Sequence, residues 1–131
     1  MPELLVPISP GELIDKITIL EIKSARMTDA AKLANVRTEL DLLNQTWRAS
    51  AYSAGDIGRE WQGLREVNGR LWDIEDEIRD QERAGTFDAR FIELARAVYV
   101  TNDERAALKR VINTRLGSTL VEEKSYKDYR K

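Results

Sequence analysis

The sequence predicts an all-α fold: an antiparallel bundle of four or five helices behind an extended N-terminal lead-in. Three observations predict it. All three prolines, Pro2, Pro7 and Pro10, fall in the first ten residues, so no helix breaker follows them. The rest of the chain is rich in Ala, Leu, Glu, Arg and Lys, the strong helix formers. Apolar residues then recur at steps of three and four, which gives each stretch one sticky stripe. Stripes of that kind, joined by short loops, pack side by side.

The lead-in "ELLVPI" is expected to be extended, with a short edge strand as an option, since proline suits strand edges and starts. The first helix starts at Ser9 as N-cap, with Pro10 at the first helical position and Glu12 closing a capping box. It should run to about Met27. Thr28 or Asp29 caps a second helix, along which Leu33, Val36, Leu40, Leu43 and Trp47 form a heptad-like seam. "ASAYSAGDIG" (49–58) reads as a loop of small and polar residues. A third helix from about Asp56 carries Ile57, Leu64, Val67, Leu71, Ile74 and Ile78 in register. Glu60 is its one polar member, and Trp61 and Trp72 widen the seam. Gly85 ends it as a C′ residue. Phe87 leads into a fourth helix with Phe91, Leu94 and Val98 inward. "TNDE" (101–104) has the form of a capping box, so the chain either breaks there or runs on through Leu108, Ile112 and Leu116 to Gly117. Residues 118–131 read as a partly flexible tail with at most one helical turn.

At 131 residues the chain is expected to form a single domain, 1–131, and can bury roughly two thirds of its unfolded surface. Cysteine and histidine are both absent, which excludes disulfides, thiol catalysis, thiolate metal sites and the usual general base. No cofactor and no metal site are implied. The formal net charge is −2, split as −5 over 1–86 (16 acidic, 11 basic) and +3 over 87–131 (7 acidic, 10 basic). That excess is too small for a nucleic-acid partner. No apolar run is long enough for membrane insertion, and "MPELLVPISP" lacks the pattern of a signal peptide, so a cytoplasmic protein is expected.

Two surfaces are candidates for function. With Leu13 set to zero and about 100° per residue, Leu13, Ile17, Leu20 and Met27 fall on one core face, with Ile14 beside them. Ile19 and Ile22 fall on the opposite side, framed by Glu12, Asp15 and Arg26. Glu12, Ile19, Ile22 and Arg26 are therefore the candidate interface, covered either by the chain's own ends or by a partner protein, of which a second copy is the favoured choice. Around "YVTNDERAALK" (99–109), a helix start would expose backbone N–H groups that attract anions, and arginine's fork matches phosphate oxygens. Asp15, Lys16, Asn102, Asp103, Arg105 and Lys109 are the candidate binding residues for a phosphate-bearing small molecule such as a nucleotide or sugar nucleotide. The carboxylate row Asp73, Asp76, Glu77 and Asp80 reads instead as a solvated face, with Glu75–Arg79 and Glu66–Arg70 as helical ion pairs.

"PISPGELIDKITILEIKS", "DAAKLANVRTEL", "LWDIEDEIR", "FIELARAVYVTNDERAALKR" and "GSTLVEEKSY" together resemble an uncharacterised bacterial family, a domain of unknown function. Members occur beside or fused to glycosyltransferase and tetratricopeptide-type modules in envelope-polysaccharide gene clusters. The resemblance implies a surface-glycan context and assigns no role to any residue. "ELIDKITILEIKSAR" is also similar to the first helix of all-helical chorismate mutases, with Arg26 matching a late arginine. Glu12 stands where that family has an arginine before the Ile-Asp pair, which undercuts the likeness. The expected function is a non-enzymatic helical interaction or accessory module, dimeric, in bacterial surface-glycan biosynthesis; the alternative is an enzyme or binder acting on a phosphate-bearing ligand.

Overall fold

A computed structural model describes residues 2–130, and these form an all-α bundle. The helices are α1 (Pro10–Arg26), α2 (Ala30–Ala49), α3 (Gly58–Ala84) and α4 (Ala89–Leu116), with a short 3-10 turn at Ala51–Ala54. Residues 2–9 carry no helix, and no strand occurs among the described residues, so the optional edge strand does not form.

Local chemistry sets the helix ends. The Ser9 hydroxyl accepts from the Glu12 N–H at 3.1 Å, and Pro10 opens α1. Glu12 does not complete a capping box, because its carboxylate turns to Lys109 at 2.6 Å. Asp29 caps α2 through the Lys32 N–H, and Asp88 caps α4 through the N–H groups of Arg90 and Phe91. Gly85 and Gly117, at φ 69° and 70°, end α3 and α4 in the left-handed conformation that glycine adopts without strain.

The fourth helix runs unbroken through "TNDE". Thr101 is 4% exposed inside it, so no helix start or free N–H cluster exists there. The turns before and after Thr101 continue the same inward stripe from Leu94 to Ile112, and burial of that stripe overrides the local capping pattern.

Helix α1 is the hub. It packs against α2, α3 and α4, whereas α2 packs chiefly on α1. Ile14, Ile57, Leu64 and Ile112 form the innermost cluster, flanked by Trp47, Trp61, Leu108 and Leu116. Trp47 of α2 meets Trp61 of α3 edge-on, with ring centroids 5.5 Å apart. A helix apolar around most of its circumference is one enclosed on most sides. Ile22 is accordingly 5% exposed, at the floor of a groove that Arg26 shares with Gln62, Arg65 and Gly69 of α3, and Ile19 is half-buried. The groove around Ile22 is walled by residues of α1 and α3, with no residue of either chain end among its lining.

Surface charges pair differently from the local expectation. Glu75–Arg79 forms at 2.8 Å. Arg70, however, reaches across to Glu104 of α4 at 2.6 Å rather than back to Glu66. Glu77 takes both Nε and Nη2 of Arg90, at 2.6 and 2.7 Å. The Glu77 carboxyl lies below the usual range, chiefly because of those Arg90 hydrogen bonds. Pairs 70–104 and 77–90 together set α3 antiparallel to α4.

Candidate functional site

The densest polar cluster lies where α1 crosses α3 and α4. Asp15 is 1% exposed on α1. Its Oδ1 accepts from Asn68 Nδ2 and from Arg105 Nε, both at 2.9 Å, and its Oδ2 accepts from Arg105 Nη2 at 2.5 Å. Asn68 donates also to the Thr18 hydroxyl at 3.0 Å, and that hydroxyl donates to the Asp15 carbonyl at 2.8 Å. The fork of Arg105 is thus held from behind, which fixes its orientation before anything binds. The Asp15 hydrogen bonds hold the guanidinium more firmly protonated, against the opposing effect of burial. Arg105 retains a contact to Asn102 Oδ1 at 3.5 Å.

One turn along, Lys109 is 6% exposed and sits between two carboxylates, Glu12 and Glu122, each at 2.6 Å. Burial pulls its pKa down, and the hydrogen bonds to Glu12 and Glu122 outweigh that, so Lys109 ends above its ordinary value. Beyond Lys109, Asn113 Oδ1 accepts from the Gly11 N–H at 2.7 Å. Pairs 15–105, 12–109 and 11–113 therefore form one ladder that clamps α1 antiparallel onto α4.

The outer side of that ladder opens into a cleft of about 760 Å³. Its floor is α4, from Val98 to Lys109, and its roof is residues 122–130 of a C-terminal strap that starts at Ser118. The strap runs antiparallel to α4. Glu122 meets Lys109, Lys124 meets Asp103, and the rings of Tyr129 and Tyr99 pack edge-on at 4.7 Å. Arg130 lies 3.9 Å from Asp103 Oδ2, and Glu123 lies 3.5 Å from Arg110. Among the described residues, no backbone hydrogen bond joins 119–130 to the bundle; side chains alone hold it.

Five of the six candidate binding residues come together here. Asp15, Arg105 and Asn102 share one network, Lys109 sits one turn along between Glu12 and Glu122, and Asp103 lines the cleft. Lys16 stays on the exposed outside of α1, 3.5 Å from Glu12. Of the candidate interface residues, Glu12 faces Lys109, and Arg26 bonds to Asp73 at 2.5 Å while lying 5.9 Å over the Trp72 ring. Asn68, Thr18, Asn113 and Glu122 were not among the candidates. Each is brought in by a contact across 50 or more positions or by a tail contact, for which sequence spacing holds no signal.

Over residues 4–129 the sequence matches DUF6165, a family of unknown function. The chain belongs to that family. The matched span includes all four helices and nearly the whole strap, so ladder and cleft both lie inside the DUF6165 unit. No curated protein and no solved structure matches the chain.

Proposed function

We propose that this DUF6165 chain is a non-enzymatic helical interaction module whose working surface is the α4 groove, and that the groove receives an extended peptide of mixed charge. The observation that carries the reading is the strap, an extended segment seated along α4 by replaceable side-chain contacts alone. A groove that holds its own tail in this way has the chemistry to hold a similar segment of a partner. Lys109 takes a carboxylate, Asp103 takes an ammonium and Tyr99 takes an aromatic edge. A binding role fits the side chains present better than a catalytic one. The cleft's carboxylates Asp103, Glu122 and Glu123 already face cations, and the chain has no histidine or cysteine to act as base or nucleophile. Dimerisation, a cytoplasmic location and a place in bacterial surface-glycan assembly belong to the proposal; the last is supported only by the sequence resemblance.

The test uses a fluorescent peptide with the sequence of residues 118–130. It should bind a full-length Lys124→Asp chain, whose own strap is repelled by Asp103, roughly 10-fold more tightly than the native chain, whose strap competes at high effective concentration. Asp103→Lys should abolish binding, and added salt should weaken it. Absence of peptide binding to every form would defeat the reading.

One observation favours a second reading, a phosphate-bearing ligand in the same cleft. Arg105 keeps 30% of its side chain exposed and is oriented by Asp15, and the volume suits a small molecule. A thermal-shift panel of nucleotides and sugar nucleotides separates the two. A shift that disappears in Asn102→Ala would move the assignment to the small molecule.

A further inference from the structure

We propose that the strap is exchanged between two copies of this chain, so that each α4 groove holds residues 118–130 of the other. The inference rests on the reading of the groove as a peptide-binding surface and adds the identity of the peptide.

Three features carry it. The first is the hinge. Helix α4 ends at Gly117 in the left-handed conformation, and the Ser118 N–H closes the cap onto the Asn113 carbonyl. Between Ser118 and Val121, among the described residues, the local bonds tie only the Ser118 hydroxyl to Leu120, so Thr119 and Leu120 can redirect the chain without breaking a helix bond. The second is the absence of any burial that favours the strap's own chain. Every residue from Thr119 to Arg130 is exposed, and the partly buried Lys109 and Asp103 that the strap meets offer the same contacts whichever chain supplies Glu122 and Lys124. The strap of a second copy brings the same Glu122, Lys124 and Tyr129 to the same Lys109, Asp103 and Tyr99. Exchange therefore preserves every contact, as it does in domain-swapped dimers generally.

The third feature says why a second copy is favoured over the closed monomer. Beside the strap, Val100 and Val111 are 42% and 44% exposed, and with Ala107 between them they stand seven and four residues apart on one stripe of α4. Leu120 and Val121, at 44% and 53%, lie next to the hinge. Folding back the strap within one chain leaves these residues in water. Two chains crossing at this face cover them, and that added burial favours the exchanged state.

The experiment needs no altered chain. Native protein is mixed in equal parts with isotope-labelled native protein and treated with a zero-length carbodiimide, which joins Glu122 to Lys109 as an amide. The expected result is mixed-isotope 122–109 peptide pairs, increasing with protein concentration, in a species of twice the 15.0 kDa chain mass. Same-isotope pairs alone, at every concentration, would overturn the exchange, as would a dimer whose 122–109 pairs never mix. A charge swap provides the second arm. Full-length Asp103→Lys and Lys124→Asp chains, each repelling its own strap, should sediment as monomers alone and as a dimer when mixed, because lysine and aspartate then face each other only across chains. A mixture that stays monomeric, or single variants that still dimerise, would reject the proposal. Peptide binding without strap exchange would reject the exchange alone, whereas loss of peptide binding removes the groove reading itself.

Discussion

At Asp15 the carboxylate is 1% exposed, whereas the guanidinium facing it on Arg105 is 30% exposed. Removing either partner should therefore not cost the same. Arg105→Leu strands a carboxylate away from water with only Asn68 left, and should lower stability by about 3–5 kcal/mol. Asp15→Leu leaves an arginine that can reach solvent, and should cost about 1–3 kcal/mol. Urea unfolding of the two variants measures the difference, and equal or reversed losses would refute the asymmetry. Lys109 gives a pH counterpart. Its folded-state pKa is raised above the ordinary 10.5, so its contribution is complete below that value and is lost as pH rises through the folded-state value. Stability of the native chain should therefore fall more steeply on the alkaline side than that of Lys109→Met, and parallel alkaline curves would show that Lys109 contributes nothing. The fork Asp15–Arg105 joins two residues that sequence reading had selected for ligand binding on chemical grounds. It could not show that they bind each other, because 90 positions separate them.

Helix docking depends on positions that look incidental within one helix. Gly11 sits where α1 presses onto α4, and a Cβ there would lie 2.6 Å from the Lys109 carbonyl and 2.8 Å from Asn113 Oδ1. Gly11→Ala should therefore push α1 off α4 and cost about 1–3 kcal/mol, despite alanine's better helix propensity. A gain in melting temperature would show that the contact yields freely. Glu60 points the other way. It is the one carboxylate in the α3 seam, pairs with Arg115 through Oε1, and leaves Oε2 buried with no partner. Arg115 is half exposed and loses little without it, so Glu60→Leu should raise the melting temperature. A measured fall would mean that the Glu60 backbone N–H and Arg115, which hold this carboxyl below its ordinary value, outweigh its desolvation. The seams of α2 and α3 and the caps Ser9, Asp29, Gly85 and Gly117 were legible because each is a local signal, fixed within one or two turns. The continuity of α4 was not. "TNDE" is a sound capping box by pattern, and only burial of Thr101 between α4's neighbours decides against it. The apolar circumference of α1 was equally plain in the sequence, but periodicity names a buried side and not the helix that buries it.

For the molecule as a whole, the division is between a bundle locked by a buried ladder and a strap held at the surface. Trypsin should cut first after Lys124, Lys127 and Arg130, leaving the helices intact, and higher salt should speed those cuts by screening the ion pairs. First cuts inside α2 or α3 would contradict that order. The strap was the least legible part. Its alternation of Glu, Lys and Tyr looks like solvated tail until α4 supplies Lys109, Asp103 and Tyr99 in matching register. The hub position of α1 has a consequence in time. This helix is made before the other three, but the arginine that satisfies its buried aspartate is made 90 residues later. At ordinary elongation rates that is a wait of roughly 5 to 18 seconds. Over that interval α1 has only α2 and then part of α3 to lie against. Nascent chains stalled short of Arg105 should stay open to protease across α1, so the helix made first of the four is among the last to be secured.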